Sequence, residues 1–255
     1  MTLTLASQSG GATPPNPPQL AFFDAQGYLA LEHFFTPERL EQVREALEAR
    51  YALEGEDAGW EQPGTRLNVR RLCNLFSKGE PFLDLATDPV VLAMARHVIG
   101  PEFRWQAFNA HDPLPGRTTR QAIHADRQFF PGCAAYLNVL VAVDDLTEEN
   151  GATRLVPGSH RGPWPPAALP AREAALAPVE GEILLTASAG SLVFVHGDTW
   201  HGARDNNSSG TRRVLHLGFA CPNTAPQYEI AATLPDSVRR RLGGLAEMLA
   251  PFPPA

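Results

Sequence analysis

The sequence predicts a mainly β protein, a sandwich or jelly roll with helices at its flanks. Three observations predict it. From about residue 102 onward, seven short runs rich in apolar, branched and aromatic residues follow one another, bounded by Gly, Pro, Asn or Asp, with no helical segment between them. The 24 prolines and 21 glycines supply many turns and leave room for few long helices. With 255 residues, 44% hydrophobic and 19% charged, the chain can bury one large core, and β sandwiches of that length are often single domains.

The elements follow in order. Residues 1–18 are polar, Gly/Pro-rich and aperiodic, and read as a disordered arm ahead of a single domain over 19–255. That domain divides into a helical part over about 19–100, a jelly-roll core over about 102–221 and a C-terminal helix over about 236–249. In FTPERLEQVREALEARY, Thr36 stands as N-cap before Pro37, and Leu40, Val43, Leu47 and Tyr51 fall on one face of an amphipathic helix. TDPVVLAMARHVIG repeats the grammar, with Asp88 as cap, Pro89 in the first turn and Gly100 as the stop. The strand candidates are FRWQAFNA, RQAIHADRQFF, AAYLNVLVAV, ATRLVP, EILLT, GSLVFVH and RRVLHLGFA. Between His160 and Glu180 a long proline-rich stretch reads as a lid or a disordered loop. At the end, Val238, Leu242, Leu245 and Leu249 make a helical stripe that Gly243 and Gly244 weaken.

Several function classes are excluded. Net charge is -7 and the one basic cluster is Arg239 to Arg241, too little for a nucleic-acid footprint. No apolar run approaches the roughly 18 residues of a membrane span, and the N-terminus lacks a signal-peptide pattern, so the protein is expected in the cytoplasm. Cys73, Cys133 and Cys221 are odd in number and lack paired spacing, which suits buried thiols and neither a disulfide framework nor a zinc knuckle. Nothing in the sequence speaks to oligomeric state.

Chemistry concentrates in QAIHADRQFF. Side chains alternate along a strand, so His124 and Asp126 point the same way. A carboxylate aimed inward is costly unless it is paired or binds a cation, so the choice lies between a solvated edge and a metal. Two histidines and one carboxylate form the facial triad of non-haem iron(II) oxygenases, which leaves coordination positions open for co-substrate and dioxygen. His196, His201 and His216 are the candidates for the third donor. His196 and Asp198 make a second His-x-Asp pattern, so spacing alone leaves the choice open.

HADRQFF, AVDDLTEENGATRLVPGSHRG, GSLVFVHGDTWHGARDN and TRRVLHLGFA together resemble the phytanoyl-CoA dioxygenase family of iron(II)/2-oxoglutarate oxygenases, and FFDAQGYLALEHFFTPERLEQVREAL resembles its opening segment. The likeness covers residues 20–220 in order. It implies a double-stranded β-helix, a jelly-roll or cupin-like architecture, with flanking α-helices. It also implies iron(II) held by His124, Asp126 and His201, with 2-oxoglutarate and dioxygen as co-substrates. Arg212, eleven residues after His201, takes the place of the family's arginine for the distal carboxylate of 2-oxoglutarate, a task suited to a planar, permanently charged fork. Gln121 matches a glutamine that precedes the family's His-x-Asp, although strict alternation puts it opposite His124 unless the strand bulges. Asn138 and Asn109, polar residues in apolar strands, would either bond 2-oxoglutarate or satisfy neighbouring backbone.

If Arg212 faces inward, Val214, His216 and Gly218 share its face and Arg213 faces out. Leu215, Leu217 and Phe219 on the other face mean that alternation alone could equally select Arg213. His216 would then be a pocket group or a hydrogen-bonded core histidine. Related halogenases carry a small residue at the place of Asp126, so its retention implies hydroxylation or another oxidation begun by hydrogen abstraction. Ala203 stands where many members have serine, which removes one hydroxyl contact to 2-oxoglutarate. Gly151, Gly158, Ser159 and His160 read as turn formers, His196 as packing beneath the ligand loop, and His33, His97 and His111 as surface or helix residues. Phe129, Phe130, Trp164 and Trp200 would line an apolar substrate pocket or belong to the core.

The implied activity is oxidation of an unactivated C–H bond of a small molecule by hydroxylation, desaturation, cyclisation or epimerisation. Lys78 is the single lysine among 21 basic residues, a bias that suggests a GC-rich bacterial coding sequence and favours a natural-product intermediate. A CoA thioester would need more cations than Arg239 to Arg241 provide. Two rivals remain at this level: a cupin-like metal-dependent isomerase, which has no need of Arg212, and a non-catalytic jelly-roll binding module with a vestigial triad.

Overall fold

The computed structural model describes residues 13–61, 68–162 and 172–250. Helix α1 (Pro17–Gln26) is closed by a reciprocal cap in which Asn16 Oδ1 accepts from Gln19 N at 3.0 Å and Gln19 Oε1 accepts from Asn16 N at 2.9 Å. Residues 16–18 therefore belong to the folded domain, which corrects the expected end of the arm; residues 1–12 lie outside the described residues. Strand β1 (Tyr28–Leu31) follows, then α2 (Pro37–Glu54), whose Thr36 cap accepts from Arg39 N and whose Leu40, Val43, Leu47 and Tyr51 are buried as the spacing requires. After β2 (Val69–Leu72) and α3 (Glu80–Ala86), helix α4 (Pro89–Ile99) starts at Asp88, which accepts from Val90 N at 3.0 Å.

The remaining strands are β3 (Arg104–Pro113), β4 (Gln121–His124), β5 (Tyr136–Ala142), β6 (Thr153–Leu155), β7 (Ile183–Leu185), β8 (Leu192–His196), β9 (His201–Ala203) and β10 (Val214–Ala220). Helix α5 (Arg172–Leu176) precedes β7, so part of the stretch read as a loop is helical. The described residues end with α6 (Ile230–Thr233), α7 (Asp236–Leu242) and α8 (Leu245–Leu249). One C-terminal helix was expected; Gly243, at φ 53°, breaks it into two.

The strands form two antiparallel sheets, one in the order β1-β8-β5-β10-β3-β2 and a smaller one in the order β4-β9-β6-β7. Residues of the large sheet alternate between two cores. Leu137, Val139, Leu215, Leu217 and Phe219 pack under the helices, while Leu140, Val193, Val195 and Val214 face the smaller sheet beside Leu155 and Leu185. Each fully buried Leu, Val or Phe of these cores contributes about 1.5–3 kcal/mol. Both faces of β10 are thus buried, which is why alternation alone could not separate Arg212 from Arg213. Cys73 and Cys133 are buried as expected, whereas Cys221 is only half-buried.

Candidate active site

A cavity of about 510 Å³ opens between the two sheets. His124 closes β4, Asp126 opens the 3-10 turn Asp126–Phe129 behind it, and His201 opens β9. Strands β4 and β9 pair with His124 opposite His201, which brings the two rings to 4.4 Å between centroids. Nε2 of His201 lies 3.5 Å and Nε2 of His124 3.7 Å from Asp126 Oδ1. All three donor atoms fall within 4.8 Å of one another.

Both imidazoles are oriented by backbone. His124 Nδ1–H donates to Ala122 O at 2.8 Å and His201 Nδ1–H to Thr199 O at 2.9 Å. A carbonyl only accepts, so Nδ1 of each ring carries a proton, and in the neutral form Nε2 is bare and faces the cluster, the arrangement of metal-ligating histidines. Asn138 Nδ2 donates to Asp126 Oδ2 at 2.8 Å, which leaves Oδ1 facing the imidazoles. Burial alone would raise the Asp126 carboxyl, but the two facing imidazoles, His201 foremost, hold it well below the usual carboxylate range. Burial likewise works against the His201 cation, and Asp126 outweighs it, so that imidazole is raised. Two imidazoles and a carboxylate whose donor atoms lie within 4.8 Å of one another can together hold a cation.

A bulge decides the placement of Gln121. It pairs with Ala203 while His124 pairs with His201, so β4 carries one residue more than β9 between the two pairs. Gln121 and His124 consequently both line the cavity. The bulged backbone fits only because residue 202 is glycine: a Cβ there would lie 2.7 Å from Gln121 O. A second bulge, in β3 opposite Gly218 and Phe219, brings Gln106 to the cavity wall with its Oε1 buried and unpartnered.

Arg212 enters the same cavity with 6% of its surface exposed. Its Nε is buried without a hydrogen-bond partner. Asp112, the acid that bears on it, accepts the Arg212 backbone N–H at 3.2 Å and commits its other oxygen to Arg70 at 2.6 Å. Burial pushes the guanidinium down to about 10, against the pull of Asp112, so it stays charged at neutral pH. Arg213 faces the other way and pairs with Asp144 at 2.7 Å and Glu48 at 3.0 Å. A buried, charged fork without a carboxylate is costly unless a ligand supplies one.

His216 also lines the cavity and lies 4.4 Å, ring to ring, from His111, whose Nε2 meets Arg71. His111 is thus a pocket residue, which corrects its reading as a surface or helix histidine. Burial pushes His216 down to about 3 and, with Arg71 beside it, His111 well below the ordinary range, so both rings are neutral. Tyr136 stacks on Phe130 at 4.8 Å and rests its hydroxyl against Gly218, where a Cβ would collide with it. Burial and the Asp126 charge raise that phenol well above its usual range, so it stays protonated.

A family model described as phytanoyl-CoA dioxygenase (PhyH) matches residues 23–214. The chain belongs to the phytanoyl-CoA dioxygenase family. It is 26% identical over 230 residues to a probable alpha-ketoglutarate-dependent hypophosphite dioxygenase of Stutzerimonas stutzeri, covering 79% of this chain and 77% of that protein. It is 29% identical over 245 residues to an Fe(II)/2-oxoglutarate-dependent dioxygenase of Aspergillus novofumigatus, covering 89% and 78%. In fold it is similar to the crystal structure of SnoK, a non-heme alpha-ketoglutarate-dependent carbocyclase from nogalamycin biosynthesis, with a TM-score of 0.68 and 20% identity over 96% of this chain and 95% of that one. The double-stranded β-helix expected from the sequence is the fold observed.

In this family member the other residues singled out divide cleanly. His196 and Asp198 stand apart from the cluster; His196 packs against Phe23 and His160, and Asp198 takes the Arg127 guanidinium. His160 Nε2–H donates to Asp24 O at 3.1 Å, and the residue lies in the turn after Gly158. Asn109 lines the cavity and is held by Gln227 and Tyr228. Phe129 and Phe130 line the cavity, Trp200 does not, and Trp164 lies outside the described residues. Sequence reasoning missed Gln106, His111 and Tyr136. The polar positions within FRWQAFNAH were the available signal for the first two, and nothing local marked Tyr136.

Proposed function

We propose that this protein is an iron(II)/2-oxoglutarate-dependent oxygenase that oxidises a C–H bond of a small organic molecule, a natural-product intermediate. One observation carries the reading: a buried, charged Arg212 without a carboxylate partner shares a cavity with the His124, Asp126 and His201 donors. Two bare imidazole nitrogens and a carboxylate suit iron(II). His124, Asp126 and His201 would hold the metal, and Arg212 would clamp the distal carboxylate of 2-oxoglutarate through its fork. With 2-oxoglutarate and dioxygen, bound iron supplies the oxidising power for C–H cleavage.

The chain's own residues do the positioning. Asn138 orients Asp126, and Gln121 stands beside His124 where it can hydrogen-bond the co-substrate. Asp126 occupies the position that a halide would need, which favours oxygenation over halogenation. Phe129 and Phe130 offer apolar surface, and the Tyr136 hydroxyl and Gln106 carbonyl offer polar contacts to the substrate. Among the described residues, no helix is long and apolar enough to cross a membrane. The location expected from the sequence is cytoplasmic.

The test is an anaerobic titration of metal-free protein with iron(II) and 2-oxoglutarate, following the visible charge-transfer band. Wild type should develop the band, and Arg212→Ala should need about 100-fold more 2-oxoglutarate, the loss of two charge-assisted hydrogen bonds. Bound iron with no band at any 2-oxoglutarate concentration would favour the cupin-like isomerase instead.

A further inference from the structure

The second His-x-Asp, His196 and Asp198, is conspicuous in the sequence and unused by the site. Asp198 belongs neither to the donor cluster nor to the cavity lining and accepts a two-pronged ion pair from Arg127, Nε to Oδ1 at 2.5 Å and Nη2 to Oδ2 at 2.9 Å. Arg127 is the residue next to Asp126, and Asp198 lies three before His201. The Arg127 backbone N–H donates to Gly197 O at 3.0 Å, so the two segments are joined at both side chain and main chain.

This junction lies where strand pairing stops. The β4 to β9 ladder ends at His124 and His201, and Asp126 stands beyond it in a 3-10 turn with no ladder of its own. The loop that receives Arg127 is itself anchored. His196 N donates to Gly27 O at 2.9 Å, Thr199 Oγ1 donates to the same carbonyl at 2.9 Å, and Gly197 N donates to Tyr136 O at 2.7 Å. Thr199 then offers its own carbonyl to His201 Nδ1. A fixed path of contacts therefore runs from the Asp126 turn through Arg127 and Asp198 to the orienting bond of His201. The pair is mostly buried, with side chains 11% and 15% exposed, and a two-pronged fork fixes direction as well as distance.

We propose that the Arg127–Asp198 ion pair is the positioning clamp of the metal site, setting Asp126 against His201 so that the donors are pre-organised for a divalent cation. The inference rests on the reading of His124, Asp126 and His201 as ligands. Outer groups of this kind are commonly worth about 10- to 100-fold in metal affinity.

The experiment measures Mn(II) affinity by the loss of the free-ion EPR signal, in wild type, Asp198→Asn, Arg127→Leu and Arg127→Lys, alongside thermal melting of each metal-free protein. Asp198→Asn and Arg127→Leu should bind Mn(II) about 10- to 100-fold more weakly, and Arg127→Lys, which keeps the charge and loses the fork, should fall between them and wild type. Should Arg127→Leu fail to fold, the near-isosteric Asp198→Asn decides the matter by itself. Wild-type Mn(II) affinity in a folded Asp198→Asn, whatever its melting temperature, would make the pair an ordinary structural salt bridge and overturn the clamp. A wild type that binds no Mn(II) would instead overturn the ligand reading, and the clamp with it.

Discussion

Gln121 and His124, three residues apart on one strand, face the same cavity because β4 bulges between them, and the bulge is admitted by the bare α-carbon of Gly202. Gly202→Ala would press a methyl group to 2.7 Å from Gln121 O and 3.1 Å from Ala122 O. The backbone would have to part, costing about 1–3 kcal/mol. Thermal melting should show a drop of several degrees, and the 2-oxoglutarate requirement of the charge-transfer band should rise as Gln121 and His124 lose their shared orientation. An unchanged melting curve and band would mean that the bulge is soft.

Arg212 and Arg213 should separate cleanly. Arg213→Ala breaks the pairs with Asp144 and Glu48 and should cost about 1–2 kcal/mol, less than a fully buried pair because both ends keep some solvent. Its iron(II)/2-oxoglutarate titration should match wild type. Arg212→Ala should show the reverse, a weakened titration with little loss of melting temperature, since no protein carboxylate is left unpaired by its removal.

Asn138 gives one amide proton to Asp126 Oδ2 and keeps its own Oδ1 buried and unpartnered. Asn138→Asp would set a second carboxylate beside Asp126 and repel it. Asn138→Leu would only remove the donor. Calorimetric Mn(II) titration should find the leucine variant about tenfold weaker. The aspartate variant should show a steeper dependence of binding on pH as two carboxyl groups compete for protons.

Metal should stabilise the folded chain by mass action. At a concentration 100 times its Kd, Mn(II) should add about 2.7 kcal/mol. For a domain of this size that is a rise in melting temperature of about 5–10 °C. The rise should vanish in His124→Ala and Asp126→Ala and reverse on addition of a chelator. A rise that persists in both variants would place the cation elsewhere.

Local features were legible without coordinates. Thr36 and Asp88 cap their helices through bonds to residues two or three ahead, so α2 and α4 were readable nearly to the residue. His124 and Asp126 do face one cluster as their spacing suggested, although the strand ends at His124 and Asp126 opens a 3-10 turn, so alternation alone does not set their common direction. Asn16 was missed although its reciprocal bond with Gln19 is equally local, because the glycine- and proline-rich stretch around it suggested disorder.

The β-rich architecture, two capped helices and two of the three donors were readable along the chain, since all of these depend on hydrophobic period or on contacts within a few residues. The rest depends on how distant strands pair and which faces the helices cover. His201 joins His124 rather than His196 because antiparallel pairing of β4 with β9 puts those two opposite each other. Arg212 points inward rather than Arg213 because the helices cover the face of β10 that carries Leu215, Leu217 and Phe219, leaving the other face to the cavity. Gln121 and Gln106 reach that cavity through bulges that shift the alternation by one residue. A strand buried on both sides carries no polar face to read, and a bulge is fixed by the partner strand, so neither can be decided from the residues of the strand alone.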